Sequence, residues 1–133
     1  MGGLVAEKLF LGPKQVTAGC SSDLKGATDM AYQAVRRFGM FGQEAGYISS
    51  GKDENSDAYN AMIDQEVKRI LDESYKRVES LLKDKEQHIR NISKNLYWYD
   101  YLTAEEMDSI IKGKQIKKEK VREWEGETHA IKF

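Results

Sequence analysis

From Asp57 to Lys83, apolar residues return every three or four positions, with no proline or glycine to interrupt them. Ile63, Val67, Ile70, Leu71, Val78, Leu81 and Leu82 fall along one side of a 3.6-residue helix, a spacing that no strand shares. A helix this long must bury its stripe against other elements, and nowhere does the chain show the alternation of a strand. The expected fold is therefore all-α, a helical bundle. The opposite face carries acid-before-base pairs at i, i+4: Asp64–Lys68, Asp72–Lys76, Glu73–Arg77 and Glu79–Lys83. Each contributes only about 0.2–0.5 kcal/mol, but all run in the favourable direction.

The remaining elements are read around that helix. Leu4, Val5, Leu9 and Phe10 give residues 3–10 an apolar side, and Gly12-Pro13 stops them. A helix starting at the first residue is expected of a piece of a longer protein. Residues 12–21 read as a loop, with Ser21 or Ser22 capping the next helix. That helix is expected over 22–38, burying Leu24, Ala27, Ala31, Ala34, Val35 and Phe38. Residues 39–57, rich in Gly and Ser, read as a flexible loop. His88, Ile89, Ile92, Leu96 and Tyr99 form a further periodic stretch, which either continues the long helix or follows a break near Asp84–Glu86. Thr103 with Glu106 three residues on is a capping box for a short helix carrying Met107, Ile110 and Ile111, ended by Gly113. Residues 1–113 are thus expected as the helical body and 114–133 as a charged, mobile tail.

Composition narrows function mainly by exclusion. The 133 residues make one domain's worth of chain, and the net charge of -1 creates no field to attract nucleic acid or an anionic membrane. Mean hydropathy is -0.67, and no run approaches the roughly 18 apolar residues of a membrane span. The start is neither a signal peptide nor, with Ala6 at the sixth position, a myristoylation site. One cysteine, Cys20, excludes an intrachain disulfide.

Read residue by residue, no active site is complete. A zinc hydrolase needs three protein ligands and an open position, two of them usually from H-E-x-x-H on a helix. The chain has two histidines, His88 and His129, and neither begins such a motif. No phosphate-binding G-x-x-x-x-G-K-[ST] is present either. Asp23, taken alone, reads as a helix cap or dipole partner. Cys20 beside a helix start favours a thiolate, yet without a histidine nearby in sequence it reads as a small packing residue. The Tyr97-Trp98-Tyr99-Tyr101 cluster, diluted by Asp100 and Glu105, suits packing better than base stacking. Lys112, Lys114, Lys117, Lys118 and Lys120, interleaved with acids, read as a solvated tail.

One segment says more than its composition does. Val16-Thr17-Ala18-Gly19-Cys20-Ser21-Ser22-Asp23-Leu24 runs on to Ala27-Thr28, preceded by Gly2-Gly3 and Ala6-Glu7-Lys8-Leu9-Phe10-Leu11-Gly12 and followed by Arg37-Phe38-Gly39-Met40. Together with Ile63-Asp64-Gln65-Glu66-Val67 and the stretch from Tyr75 to Leu82, this resembles the C-terminal, helical half of the peptidase domain of the FtsH-family ATP-dependent zinc proteases. Residues 2–113 share the resemblance. Cys20 and Ile111-Lys112-Gly113-Lys114-Gln115-Ile116 resemble the mitochondrial i-AAA branch more than the bacterial one. The wording departs from the family at Leu4, at Tyr97–Leu102 and after Met40.

The resemblance implies that Asp23 is the third zinc ligand, that Thr17, Ala18 and Gly19 form the wall beside it, and that no catalytic residue lies in this chain. It implies Zn2+ as metal, with ATP and Mg2+ in an AAA module outside these residues. The whole protein is then a homo-hexamer that unfolds and degrades unfolded or membrane proteins in quality control. Its membrane anchor would lie outside these residues, in the mitochondrial inner membrane or, alternatively, a bacterial or plastid membrane. The contrasting expectation is a non-catalytic α-helical interaction or oligomerisation module in which Asp23 only caps a helix.

Overall fold

A computed structural model describes residues 1–38 and 57–122, the side chain of Phe38 excepted. Among the described residues there are five helices: α1 (Gly2–Leu11), α2 (Ala18–Phe38), α3 (Asp57–Asp84), α4 (Glu86–Tyr99) and α5 (Ala104–Ile111). They form two units, Met1–Glu79 and Ser80 onward. The all-α class expected from the periodicity is what the described residues adopt. The expected flexible loop at 39–57 lies, but for Asp57, outside the described residues.

In the first unit, α1 packs on α2, and α2 packs on the first turns of α3. The core is Ala31, Val35, Ile63 and Val67, with Tyr32, Tyr59, Ile70 and Leu71 packed against it. Val5, Val35 and Ile63 are fully enclosed. Burying one such side chain contributes about 1.5–3 kcal/mol, so these few residues dominate the cohesion of the unit. The small side chain of Ala31 lets the α3 stripe approach α2 closely. Tyr32 adds a polar tie across the same seam, its hydroxyl donating to Asp64 Oδ1 at 2.6 Å. That bond is the largest cause holding the phenol's pKa above its ordinary value.

Several local expectations are corrected. Helix α2 begins at Ala18, four residues before the expected start, so Ser21 and Ser22 lie inside it and cap nothing. Leu24, two turns before Ala31 and on the same face of α2, nevertheless remains exposed, lining an open groove with Leu4, Val67 and Leu71. On α3, Glu73 pairs with Arg69 at 2.8 Å, while Arg77 donates to Ser74. Arg69 also holds Glu66 at 2.9 Å, and this second partner explains how a glutamate sits largely buried on the core side.

In the second unit α4 follows α3 after the single residue Lys85, so the periodic stretch does break where the sequence allowed it to. Helices α4 and α5 pack together around Tyr99 and Ile110. The capping box forms as read: Glu106 N–H donates to Thr103 Oγ1 at 3.2 Å, and Thr103 N–H to Glu106 Oε2 at 3.1 Å. Gly113, at φ 77°, takes the left-handed conformation that ends α5. Part of the segment expected as a charged, mobile tail makes contacts that the sequence did not suggest. Residues 118–122 are hydrogen-bonded back onto α4, because aromatic faces and a terminal carbonyl there give its basic side chains and amides partners. Residues 123–133 lie outside the described residues.

Candidate functional site

The junction of α1 with the start of α2 is organised by Glu7, half-buried near the middle of α1. Its Oε2 accepts the backbone N–H of Thr17 at 2.8 Å, and its Oε1 accepts the Thr17 hydroxyl at 2.8 Å. The Cys20 thiol donates to the same carboxylate. Three donors stabilise the ionised form, so the Glu7 carboxyl is held below its ordinary pKa. The Thr17 amide is the largest cause, then the Thr17 hydroxyl, then Cys20. Thr17 is thereby fixed as the residue from which α2 starts, with Cys20 N–H bonded to the Thr17 carbonyl at 3.2 Å.

Cys20 is buried, and its thiol is pushed up chiefly by that burial, then by the hydrogen bond and charge of Glu7. A thiol held protonated is a poor nucleophile and a poor metal ligand. Its position beside a helix start, which read as favouring a thiolate, is outweighed by these two effects.

Asp23 lies one turn further along α2 and is exposed. It sits too far inside the helix to accept the unpaired N–H groups of the first turn, so the capping role read from sequence does not hold. Its carboxylate instead stands over α1 at Gly3: a Cβ built there would lie 3.6 Å from Asp23 Oδ2 and 3.9 Å from Cys20 Sγ. Helix α1 thus approaches α2 closely at the point where the aspartate emerges. Thr17, Ala18 and Gly19 are all exposed on the approach to it; Ala18 and Gly19 are the first helical residues rather than loop.

The structure brings Asp23 together with Glu7, Thr17 and Cys20, but with no histidine. His88 is on α4 in the second unit, and His129 lies outside the described residues. Among the described residues no group of three His, Cys, Asp or Glu side chains is placed to hold a metal ion. The residues present therefore fit part of a zinc site, one anionic oxygen donor, and do not fit a whole one. Glu7 is the residue that sequence reasoning missed. It stands ten positions before Thr17 with no motif linking them, and only the turn at Gly12-Pro13 brings the two together.

The sequence matches peptidase family M41 over residues 1–110. It is 37% identical over 115 residues to the ATP-dependent zinc metalloprotease YME1 homolog of Schizosaccharomyces pombe, covering 85% of this chain and 16% of that protein. Identity reaches 41% over 115 residues with the ATP-dependent zinc metalloprotease FTSH 11, chloroplastic/mitochondrial, of Arabidopsis thaliana, covering 86% of this chain and 14% of the relative. With the ATP-dependent zinc metalloprotease FtsH of Caulobacter vibrioides it is 32% over 133 residues, 90% of this chain and 21% of the relative. The chain thus spans between 14 and 21% of the length of these curated relatives. By the extent of that match and these identities, the chain belongs to peptidase family M41, as a helical part of its peptidase domain.

Proposed function

We propose that the chain serves within an ATP-dependent zinc metalloendopeptidase, as the helical part that presents Asp23 as the third zinc ligand. The observation that carries this reading is the position of Asp23 itself. It is an exposed carboxylate with no capping role, on a helix whose start is tied by three donors to Glu7, in a chain whose relatives are zinc proteases. A metal site gains affinity when its ligands are held by neighbouring hydrogen bonds, and the Glu7 network supplies that support one turn before the ligand.

Zinc in such enzymes polarises the scissile carbonyl and activates water. This chain's share is to contribute negative charge from Asp23 and to fix where that charge stands. Thr17, Ala18 and Gly19 supply small, exposed wall beside it, leaving room for an extended substrate backbone. On this reading two further ligands, the general base and an ATP-Mg2+ module would lie in segments outside these residues. The whole protein is read as a homo-hexamer that unfolds and degrades unfolded or membrane proteins. The relative named chloroplastic/mitochondrial supports reading the anchor as mitochondrial, in the inner membrane, with a plastid or bacterial membrane as the alternative. No helix among the described residues is long and apolar enough to cross a membrane.

The test is Asp23→Asn in the chain joined to its complete peptidase and ATPase parts. Asparagine keeps the size and removes the charge. The expected outcome is loss of proteolysis with ATP hydrolysis largely retained. Unchanged cleavage would overturn the ligand assignment.

A further inference from the structure

The segment Lys118–Arg122 lies beyond the residues matched to the family, which end at 110, yet it is built onto the C-terminal end of α4. Helix α4 ends at Tyr99, so the Trp98 carbonyl is among those that no intrahelical N–H can reach. The backbone N–H groups of Val121 and Arg122 both donate to it, at 2.7 and 3.3 Å. Around this carbonyl three cations each sit on an aromatic ring. Lys118 Nζ is 3.2 Å from the Tyr101 ring centroid, Lys120 Nζ 3.9 Å from that of Trp98, and the Arg122 guanidinium carbon 5.7 Å from that of Tyr97. Lys94, from α4 itself, adds a second ammonium 4.7 Å from the Trp98 ring.

Charge fixes the ends of the segment. Arg122 pairs with Asp100 and donates to the Tyr97 carbonyl at 3.3 Å. Lys118 donates to the Tyr101 carbonyl at 2.8 Å and reaches Glu106 at 3.4 Å. Glu106 is already committed to the cap of α5, so one carboxylate serves both the helix start and the segment. Apolar burial contributes little, since Val121 is 60% exposed. What holds the segment is a set of individually weak cation–ring, ion-pair and amide contacts, part-buried at Lys118 and solvated at Lys120 and Arg122, where salt screens them. Beneath it, the indole Nε1 of Trp98 is buried without a hydrogen-bond partner, a group that gains a partner in water whenever the segment lifts.

We propose that Lys118–Arg122 is a charge-held latch over Tyr97, Trp98 and Tyr101, closed when Lys118, Lys120 and Arg122 are cationic and unscreened, and opened by neutralising or screening them. Opening frees the faces of the Tyr97 and Trp98 rings, releases the already exposed Tyr101 from Lys118, and leaves one backbone carbonyl unpaired, without requiring α4 or α5 to unfold.

The test uses the full chain carrying Trp124→Phe, which leaves Trp98 as its one tryptophan. Two charge-matched variants are compared, K118Q/K120Q/R122Q and K14Q/K114Q/K117Q. Acrylamide quenching of Trp98 is expected to rise about two-fold or more in the first and to stay at the parent value in the second. Raising NaCl from about 0.05 to about 1 M should move the parent towards the first variant. Helical circular dichroism should be the same in all three. Equal quenching in the two variants would overturn the latch. So would loss of helicity in the first, because the segment would then be an integral part of the α4–α5 fold.

Discussion

The carboxylate of Glu7 does more for the candidate site than its position in a helix suggests. Three donors converge on it, and all three belong to the first residues of α2 or the residue preceding it. Glutamine at this position keeps one acceptor oxygen and turns an NH2 group towards the remaining donors. Glu7→Gln should therefore leave α1 intact and loosen the start of α2, with the amides of residues 17–20 exchanging several-fold faster. The pH dependence has a fixed sign. Glu7 is lowered in the folded state, so its contribution is fully present above the ordinary glutamate value of about 4.3 and is lost as pH falls through the lowered one. The stability difference between the native chain and Glu7→Gln should be constant around neutrality and shrink on acidification below about pH 4. A difference that persists unchanged at low pH would mean that the ionised bonds are not its source.

At the scale of elements, what could be read in advance followed periodicity and local capping chemistry. Helix α3 was legible from Ile63, Val67, Ile70 and Leu71 because its apolar stripe is the whole reason it folds against α2. The start of α5 was legible because Thr103 and Glu106 satisfy each other's backbone neighbours without help from elsewhere. The start of α2 was not, since Ser21 and Ser22 look like caps until Glu7, on another helix, fixes Thr17 ahead of them. The strapping of residues 118–122 was hidden for the same reason: its partners lie on α4, not among its own neighbours. The self-contained cap gives a clean prediction. Thr103→Ala removes one acceptor and should cost the α4–α5 unit about 1 kcal/mol. Urea unfolding with hydrogen exchange at the Glu106 amide measures it; an unchanged midpoint would show that the box closes without stabilising.

At the scale of the whole molecule, the proposed zinc site is one that segments outside these residues would complete, and that reading governs how the chain should treat metal. A protein zinc site takes three or four ligands in near-tetrahedral array. The α1–α2 junction offers one exposed carboxylate, Asp23, and no histidine among the described residues, while the thiol of Cys20 there is buried and kept protonated beside Glu7. His88 stands on α4 in the second unit, and among the described residues no group of three His, Cys, Asp or Glu side chains is arranged around it. A single carboxylate cannot repay the dehydration of zinc, so the isolated 133-residue chain should bind the metal weaker than about 10⁻⁵ M. Titration against a chromophoric chelator, with Asp23→Asn in parallel, checks this. Tight stoichiometric binding that Asp23→Asn abolishes would mean that residues of this chain complete a site around Asp23. Tight binding that survives Asp23→Asn would place a separate site elsewhere in the chain. Weak binding in both, with proteolysis lost in the joined protein on Asp23→Asn, is what a ligand donated to a site completed by other segments should give.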